Sequence, residues 1–169
     1  HSSDGLVWSG PVPSGIGLNL SPMKFVNGIA YAFTQASNTR MLWKSVDSGE
    51  SWTQDYVQVG GKTVDVANMT YGKQTYVAAT DAGDILTSTD AAQWTVRHRF
   101  NPMNYTNLAY LGDTFLLTNG QSILTSIDAT SWQEDSVGQR GDILNSVAFD
   151  GRQFVAVGHP GLVVLGTQA

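Results

Sequence analysis

The densest cluster of cationic side chains in this sequence is Arg97-His98-Arg99, and it is followed closely by Asn101 and Tyr105. A guanidinium group pairs with a carboxylate through two parallel hydrogen bonds, and an aromatic ring beside amide groups suits a polyhydroxylated sugar. We predict that this segment contributes to a ligand site. The other predicted members of that site lie on equivalent loops of the chain: Tyr56, Arg140 and His159.

Arg97 and Arg99 also fit a structural role, and this is the interpretation that we favour. Two arginines that alternate at the end of a strand can neutralise nearby acidic residues without any ligand. His98 and His159 are far apart in the sequence, and no H-x-x-x-H or H-E-x-x-H motif is present. We therefore predict no catalytic residue, no metal site and no cofactor.

Four aspartates recur in one pattern along the chain. Asp4, Asp47, Asp90 and Asp128 each follow a serine by two residues and precede a tryptophan by four or five. The tryptophans are Trp8, Trp52, Trp94 and Trp132. Carboxylates can bind calcium or transfer protons, but an aspartate beside a serine in a turn usually accepts hydrogen bonds from that turn. We predict that these aspartates and tryptophans are structural.

A second signature lies between these turns: an aromatic residue, a glycine turn, and an aromatic residue that opens an apolar strand. Clear copies are residues 71–79, 110–117 and 149–157, and residues 25–33 form a looser copy. Each copy predicts a hairpin, which a third strand follows. A fourth strand then begins near the tryptophan. Units of about 40 residues with four strands are typical of a β-propeller blade.

We therefore predict an all-β chain in which residues 1–169 form a single β-propeller domain of about four four-stranded blades. The predicted blades are residues 23–54, 65–96, 105–134, and 145–169 together with 1–10. The last blade would combine three strands near the C-terminus with one near the N-terminus and so close the ring. Two alternatives stay open: two chains form an eight-bladed ring, or the chain is part of a larger propeller.

The repeated aspartate turns resemble the Asp-box, or BNR, repeats of sialidases and many secreted bacterial propellers. Four turns match across nearly the whole chain, although those at Asp90 and Asp128 lack the glycine of the repeat. The resemblance implies a structural turn between the third and fourth strands, opposite the binding face. It does not extend to the sialidase catalytic set of three arginines, a Tyr–Glu pair and an acid/base aspartate, since Glu50 lies inside such a turn.

The composition narrows the classes of partner. The formal net charge is −5 and only 14% of the residues are charged, so nonspecific nucleic-acid binding is not expected. No apolar run is long enough to span a membrane, and the absence of cysteine excludes disulfides. We expect a secreted or cell-surface bacterial protein, and a cytoplasmic location stays open.

The function that we predict is a noncatalytic recognition or scaffold module, present as a monomer or homodimer. It would bind a glycan or a protein through the loops between blades, residues 9–22, 53–65, 95–106 and 133–146. Two alternatives are a sialidase-like glycoside hydrolase and a structural part of a larger surface or assembly protein. No nucleic acid is predicted as a partner.

Overall fold

The regular elements of the described chain are all β-strands. The computed structural model describes residues 5–8, 15–17, 20–36, 39–101 and 106–167. The chain divides into two compact units, residues 1–56 and 57–169. The single domain and the blade bounds predicted from the sequence stay predictions. No helix in the described residues is long and apolar enough to cross a membrane.

The first unit contains one antiparallel sheet, the first sheet, with its strands in chain order. Its strands are β1 Leu20–Val26, β2 Ile29–Ala36, β3 Thr39–Ser45 and β4 Thr53–Asp55. Asn27 and Gly28 connect β1 and β2 with φ values of 50° and 78°. Such positive φ values match the right-handed twist of paired strands, which favours Asn-Gly in hairpins. Tyr31 and Phe33 of β2 are fully buried.

The second unit contains three larger antiparallel sheets and one small hairpin. The hairpin comprises β5 Val57–Val59 and β6 Lys62–Val64. The second sheet comprises β7 Val66–Gly72, β8 Thr75–Thr80, β9 Asp84–Ser88 and β10 Thr95–Arg99. The third sheet comprises β11 Thr106–Leu111, β12 Thr114–Asn119, β13 Ser122–Ser126 and β14 Gln133–Ser136. The fourth sheet comprises β15 Ile143–Phe149, β16 Gln153–His159 and β17 Val163–Thr167.

The β5–β6 hairpin corrects one prediction, since residues 53–65 were expected to form a loop between blades. Gly60 and Gly61 form its turn with φ values of 57° and 78°. These positive values suit a tight hairpin turn, in which glycine carries no steric penalty. Val57 is only 3% exposed, so burial of this valine stabilises the hairpin in addition to its backbone hydrogen bonds.

Side chains that alternate along one strand join the three sheets of the second unit. Phe115 and Leu117 of β12 are fully buried in a cluster with Val77 and Ile85 of the second sheet. Leu116, between them, packs instead with a cluster in the fourth sheet. Successive side chains of a strand point to opposite faces, so one strand contributes to two cores. The members of the fourth-sheet cluster include Leu144, Val147 and Ala156.

The predicted completion of the last blade by an N-terminal strand stays a prediction. Among the described residues, the fourth sheet has three strands, whereas the other three sheets have four. Residues 5–8 form bends and no strand. The remaining residues of the predicted strand, 1–4 and 9–10, lie outside the described residues.

Candidate binding face

The aspartate turns end the third strand of each four-stranded sheet, and we name them the Ser-Asp-Trp turns: residues 45–52, 88–94 and 126–132. In the second sheet, Asp90 Oδ1 accepts hydrogen bonds from the Ala92 and Gln93 amides, both at 2.9 Å. It also accepts one from Ser88 Oγ at 2.9 Å. The Trp94 indole donates to the Ala91 carbonyl at 3.0 Å. The carboxylate therefore organises the backbone of its own turn.

The third sheet repeats this geometry, and its turn likewise lacks the glycine of the repeat. Asp128 Oδ1 accepts hydrogen bonds from the Thr130 amide at 2.7 Å and the Ser131 amide at 2.8 Å. The Trp132 indole donates to the Ala129 carbonyl at 3.2 Å. Ala129 has a φ of 62°, a left-handed conformation that is costly for alanine. The carboxylate bonds and the packing of this fully buried alanine hold it there.

The first-sheet turn is one residue longer than the other two and includes Gly49. Asp47 accepts hydrogen bonds from the Ser51 amide at 2.9 Å and from Ser51 Oγ. The Trp52 indole donates to the Gly49 carbonyl at 3.1 Å. Asp4 lies outside the described residues. Trp8 donates to the Gly5 carbonyl at 3.2 Å, so this segment has the same indole-to-turn bond.

The hydrogen bonds at these turns keep the carboxylates ionised. Hydrogen bonds from Ser51 and Ser45 lower the pKa of Asp47 to about 2. The Ser131 and Thr130 amides, with a side-chain bond from Ser126, lower the pKa of Asp128 to about 2. A general acid needs a pKa near the working pH, so these aspartates do not fit that role.

We expect acid to weaken the fold as the pH falls from about 4 to about 2, because these carboxyl groups have a lower pKa when folded than when unfolded. Their contribution is complete above the unfolded pKa and is lost as the pH falls through the folded value. NMR titration of the side-chain carboxyl carbons should give values of about 2 for Asp47 and Asp128. Thermal unfolding measured across this pH range should show the corresponding loss of stability.

A double variant, Asp47→Asn with Asp128→Asn, should unfold at a lower temperature at neutral pH and lose less stability on acidification than the wild type. Glu50→Gln is the matched control, because the Glu50 carboxylate accepts no hydrogen bond from any residue that the structure describes. Titration of both aspartates near pH 4 would contradict this account of the turns.

The opposite ends of the strands in the second unit carry loops that we name the loop face: residues 81–83, 100–101, 120–121, 137–142 and 160–162. Hydrogen bonds connect the loops of this face both within one sheet and between neighbouring sheets. The Phe100 amide donates to the Gly83 carbonyl at 2.8 Å, and the Asn119 side-chain amide donates to the Asn101 carbonyl at 2.7 Å. Each loop that follows a sheet is thus fixed to a turn within a sheet, which gives this face a defined backbone.

The loop that carries Arg140 is held at both ends. The amides of Val137 and Gly138 both donate to the Gln121 carbonyl at 3.0 Å. Within the loop, the Gln139 amide donates to Asp142 Oδ2 at 2.7 Å. Arg140 is exposed at the tip, and its guanidinium has no partner among the residues that the structure describes. A rigid loop therefore presents a free cation that can pair with a carboxylate.

The other predicted arginines are engaged within their own sheet. Arg97 Nε donates to Thr87 Oγ1 at 2.8 Å, and Arg99 forms an ion pair with Asp84 at 2.8 Å. The Arg99 ion pair is of the charge-balancing kind that the sequence favoured, whereas Arg97 contacts a neutral hydroxyl. Their participation in ligand binding stays a prediction.

The remaining predicted site residues are distributed over both units. Asn101 and His159 are exposed at the loop face or directly beside it, at the end of the second sheet and of β16 respectively. Tyr56 is 54% exposed and belongs to the first unit. Tyr105 lies outside the described residues. The described part of the chain contains no group of three or more side chains that could hold a metal ion.

One feature that the sequence did not indicate is a groove of about 770 Å³ in the second unit, whose lining includes one residue of the loop face, Val137. Its walls come from the third and fourth sheets, and they include Ile123, Trp132, Phe154 and Leu165. These residues are far apart in the sequence, so no local pattern could have revealed the groove.

Partial burial of Lys24 in the first unit is a second feature without a sequence signal. Removal from water disfavours the ammonium form and lowers the pKa of Lys24 to about 8. A lysine in an antiparallel strand is normally expected to point to solvent, and its burial depends on neighbours that are distant in sequence.

Solved structures resemble the chain over nearly its whole length. A structure of YCF48 bound to D1 peptide is 19% identical, with a TM-score of 0.59 over 97% of this chain and 55% of that one. BamB from Moraxella catarrhalis is 10% identical, with a TM-score of 0.60 over 86% and 42%. Both neighbours are β-propellers. The chain has the β-propeller fold.

The designed protein Ika4 is 14% identical to this propeller, with a TM-score of 0.63 over 96% of this chain and 100% of that one. Neither a family model nor a curated protein matches the sequence. The propeller spans about half the length of the YCF48 and BamB chains with which it aligns. Because all three identities are low, the similarity concerns the fold alone.

Proposed function

We propose that this propeller is a noncatalytic recognition module that binds an extended segment of another protein at the loop face, with Arg140 as an anchor. The observation that carries the proposal is the guanidinium of Arg140, which has no partner among the described residues and lies on a loop held by hydrogen bonds at both ends. A preorganised loop loses little conformational entropy on binding, so more of its interaction energy contributes to affinity.

The expected ligand group at Arg140 is a carboxylate, from an aspartate, a glutamate or a chain terminus. A guanidinium binds a carboxylate through two parallel hydrogen bonds, which fix the orientation of the partner as well as adding affinity. The cross-connected backbone of the loop face supplies neighbouring carbonyl and amide groups for an extended peptide.

The choice of a peptide is supported by a structural neighbour. The YCF48 structure contains a bound D1 peptide, and that chain aligns with 97% of this propeller. At 19% identity the likeness itself shows only the fold, so a peptide partner belongs to the proposal. A glycan is the competing partner that the sequence suggested, and the same experiment separates the two.

A noncatalytic role is supported by the aspartate turns. Their carboxylates accept several hydrogen bonds each and serve the backbone of their own turns. Arg99, which could otherwise bind a charged substrate, is paired with Asp84. The described residues thus combine a rigid recognition surface with aspartates that do not fit the role of a general acid.

The test is selection of random linear peptides on the immobilised chain, followed by calorimetry with the enriched peptides. Arg140→Ala should weaken peptide binding by about tenfold or more, as expected for an arginine anchor at a protein interface. The matched control is Arg152→Ala, since Arg152 is also exposed but lies in the β15–β16 turn, at the other end of the fourth sheet.

Equal affinities of the wild type and the Arg140→Ala variant would contradict the proposed site. A glycan array measured in parallel distinguishes the partner classes, with an Arg97→Ala and Arg99→Ala double variant as its control. Specific glycan binding without any enriched peptide would replace the proposal with a carbohydrate-binding role.

A further inference from the structure

The outer edge of the fourth sheet is apolar and open. Val163 and Leu165 of β17 are 62% and 66% exposed. In the other three sheets, a fourth strand pairs with the third, whereas β17 has only β16 as a partner among the described residues. An exposed apolar edge strand promotes association with other strands, so proteins normally cover or pair such an edge.

The groove of about 770 Å³ lies beside this edge. Trp132 and Val137 contribute to its wall from the third sheet, and Phe154, Val164 and Leu165 contribute from the fourth. A strand added to β17 would lie along the groove, just as β14 pairs with β13 in the third sheet. The groove therefore has the location and the lining of a site for an outer strand.

The segment Gly5–Trp8 has the form of the turn that precedes an outer strand. Its indole donates to the Gly5 carbonyl at 3.2 Å, as each tryptophan of the Ser-Asp-Trp turns donates to its own turn. Leu6, Val7 and Trp8 are 84%, 74% and 72% exposed. In contrast, Trp94 is 8% exposed. The N-terminal segment thus has the local geometry of these turns without their burial.

The pairing register shows where such a segment fits. In the second sheet, the residue directly after Trp94 pairs with Thr87. In the third sheet, the residue directly after Trp132 pairs with Thr125. Leu165 occupies the same position in the fourth sheet. The three positions are equivalent because Thr87, Thr125 and Leu165 pair with corresponding residues of the preceding strands, which are Val77, Leu116 and Val155 in that order. A segment that continues from Trp8 along Leu165 would therefore repeat the register of the other sheets.

The same alignment places the indole of Trp8 on an aromatic neighbour. In the second sheet, the rings of Trp94 and Tyr76 lie 6.5 Å apart in an edge-to-face arrangement. Phe154 holds the position of Tyr76 in the fourth sheet, since each pairs with the last aromatic residue of the first strand. Phe154 also lines the groove, so the groove offers Trp8 the contact that Trp94 already has.

We propose that two copies of this chain associate head to tail, with the Gly5–Trp8 segment of each copy docked in the groove beside β17 of the other. The exchange is reciprocal, so a twofold axis closes the assembly and leaves neither groove open. Among the described residues no outer strand covers the groove of one copy, and the docked segment of the other copy covers it.

A second repeated contact supports an additional propeller copy at this position. The Tyr110 ring lies where a side chain on Gly72 of the second sheet would extend, and the Phe149 ring lies where one on Gly112 would extend. Around Gly151, in the corresponding turn of the fourth sheet, this space is open. In the first sheet, Phe25 holds the position that Tyr110 and Phe149 hold in theirs, and its side chain is 66% exposed.

A comparison with the lengths of the YCF48 and BamB chains favours a second copy, rather than the same copy, as the source of the Gly5–Trp8 segment in each groove. The propeller aligns with 55% of the YCF48 chain and 42% of the BamB chain, while 97% and 86% of its own residues are covered. Two copies together are thus about as long as one of those longer chains.

The first measurement is the solution mass by light scattering and native mass spectrometry. The wild type should have twice the chain mass of 18.2 kDa. Trp8→Ala and Leu165→Lys should each raise the dimer dissociation constant by about tenfold or more. Both side chains are exposed within one copy, so circular dichroism should show that each variant remains folded.

The matched control is Val46→Lys, because Val46 is 76% exposed but lies in the Ser-Asp-Trp turn of the first sheet, outside the groove lining. This variant should keep the dimer mass. A monomeric wild type at the concentrations of the experiment would overturn the proposal. A dimer that is unchanged by both Trp8→Ala and Leu165→Lys would also overturn it.

A mixture of the Trp8→Ala and Leu165→Lys variants shows whether the segment in the groove comes from a second copy or from the same chain. In a mixed dimer, Trp8 of the Leu165→Lys copy meets an intact β17 on the Trp8→Ala copy, so one complete interface forms. The mixture should therefore dimerise more tightly than either variant alone. A monomeric wild type that loses thermal stability on Trp8→Ala would instead assign the groove to the chain's own segment and overturn the exchange.

Discussion

Phe115→Ala is expected to lower the free energy of unfolding of the second unit by about 4 kcal/mol, the typical cost of removing a buried ring from a core. Phe115 is fully buried in the cluster that joins the second and third sheets. Its ring centroid lies 4.7 Å from that of Tyr110, so the variant also loses an aromatic contact. Urea unfolding followed by tryptophan fluorescence measures the change.

Ile127→Ala is the control for this prediction, because Ile127 is an apolar side chain that is 70% exposed. Its effect should stay within about 0.5 kcal/mol, as for most surface substitutions. A loss of less than about 1 kcal/mol for Phe115→Ala would show that the two sheets are not joined by this cluster.

Gly158→Ala is expected to cost about 3 kcal/mol, at the upper end for an added methyl group in a packed site. A β-carbon at position 158 would lie 2.8 Å from the Ile143 carbonyl carbon and 2.9 Å from Leu144 Cα. Both atoms belong to the backbone of the neighbouring strand, which cannot move aside as a flexible side chain can. Thermal unfolding followed by circular dichroism tests the expectation.

Gly166→Ala provides a matched control in the same sheet. Its β-carbon would meet only Phe154 Cβ, at the ordinary contact distance of 3.8 Å. This variant should have wild-type stability or gain a few tenths of a kcal/mol, because alanine reduces the conformational entropy of the unfolded chain. Equal stabilities of the Gly158→Ala and Gly166→Ala variants would contradict the proposed backbone clash.

The sequence alone predicted the propeller class because its evidence is local and repeated. An aromatic residue, a glycine turn and an apolar strand recur at 71–79, 110–117 and 149–157, and each copy forms a hairpin of the expected sheet. Alternation of side chains along β12 also follows from the sequence, since a strand places neighbouring residues on opposite faces. Assignment of the repeats to the Asp-box family stays a prediction.

Local sequence patterns did not predict the structure where a backbone conformation or a contact depends on the rest of the fold. The β5–β6 hairpin was expected to be a loop, because its two short strands lack a long apolar run. Ala129 adopts a left-handed conformation that is costly for alanine, held there by the hydrogen bonds of Asp128 and by burial. In both cases tertiary packing outweighed a local preference.

At the candidate site, too, the sequence predicted the residues and the tertiary structure decided their contacts. The sequence marked Arg97, Arg99 and Arg140 as candidate ligand-binding residues, but it could not distinguish them. Only the tertiary structure shows that Arg99 is paired with Asp84 while the guanidinium of Arg140 is free at the tip of a fixed loop. An arginine is available for a ligand only when no acidic residue lies opposite it on the neighbouring strand. The pairing register of the strands decides this, and spacing along the chain does not encode that register.

The sequence by itself determined the all-β class, the strand repeats and the aspartate turns, because hydrogen bonding and side-chain alternation act between residues close in the chain. The tertiary structure decided which of Arg97, Arg99 and Arg140 contact other described residues, where the groove lies and which apolar residues stay exposed at β17. These properties arise where residues from different sheets meet, and burial there depends on the packing of whole strands.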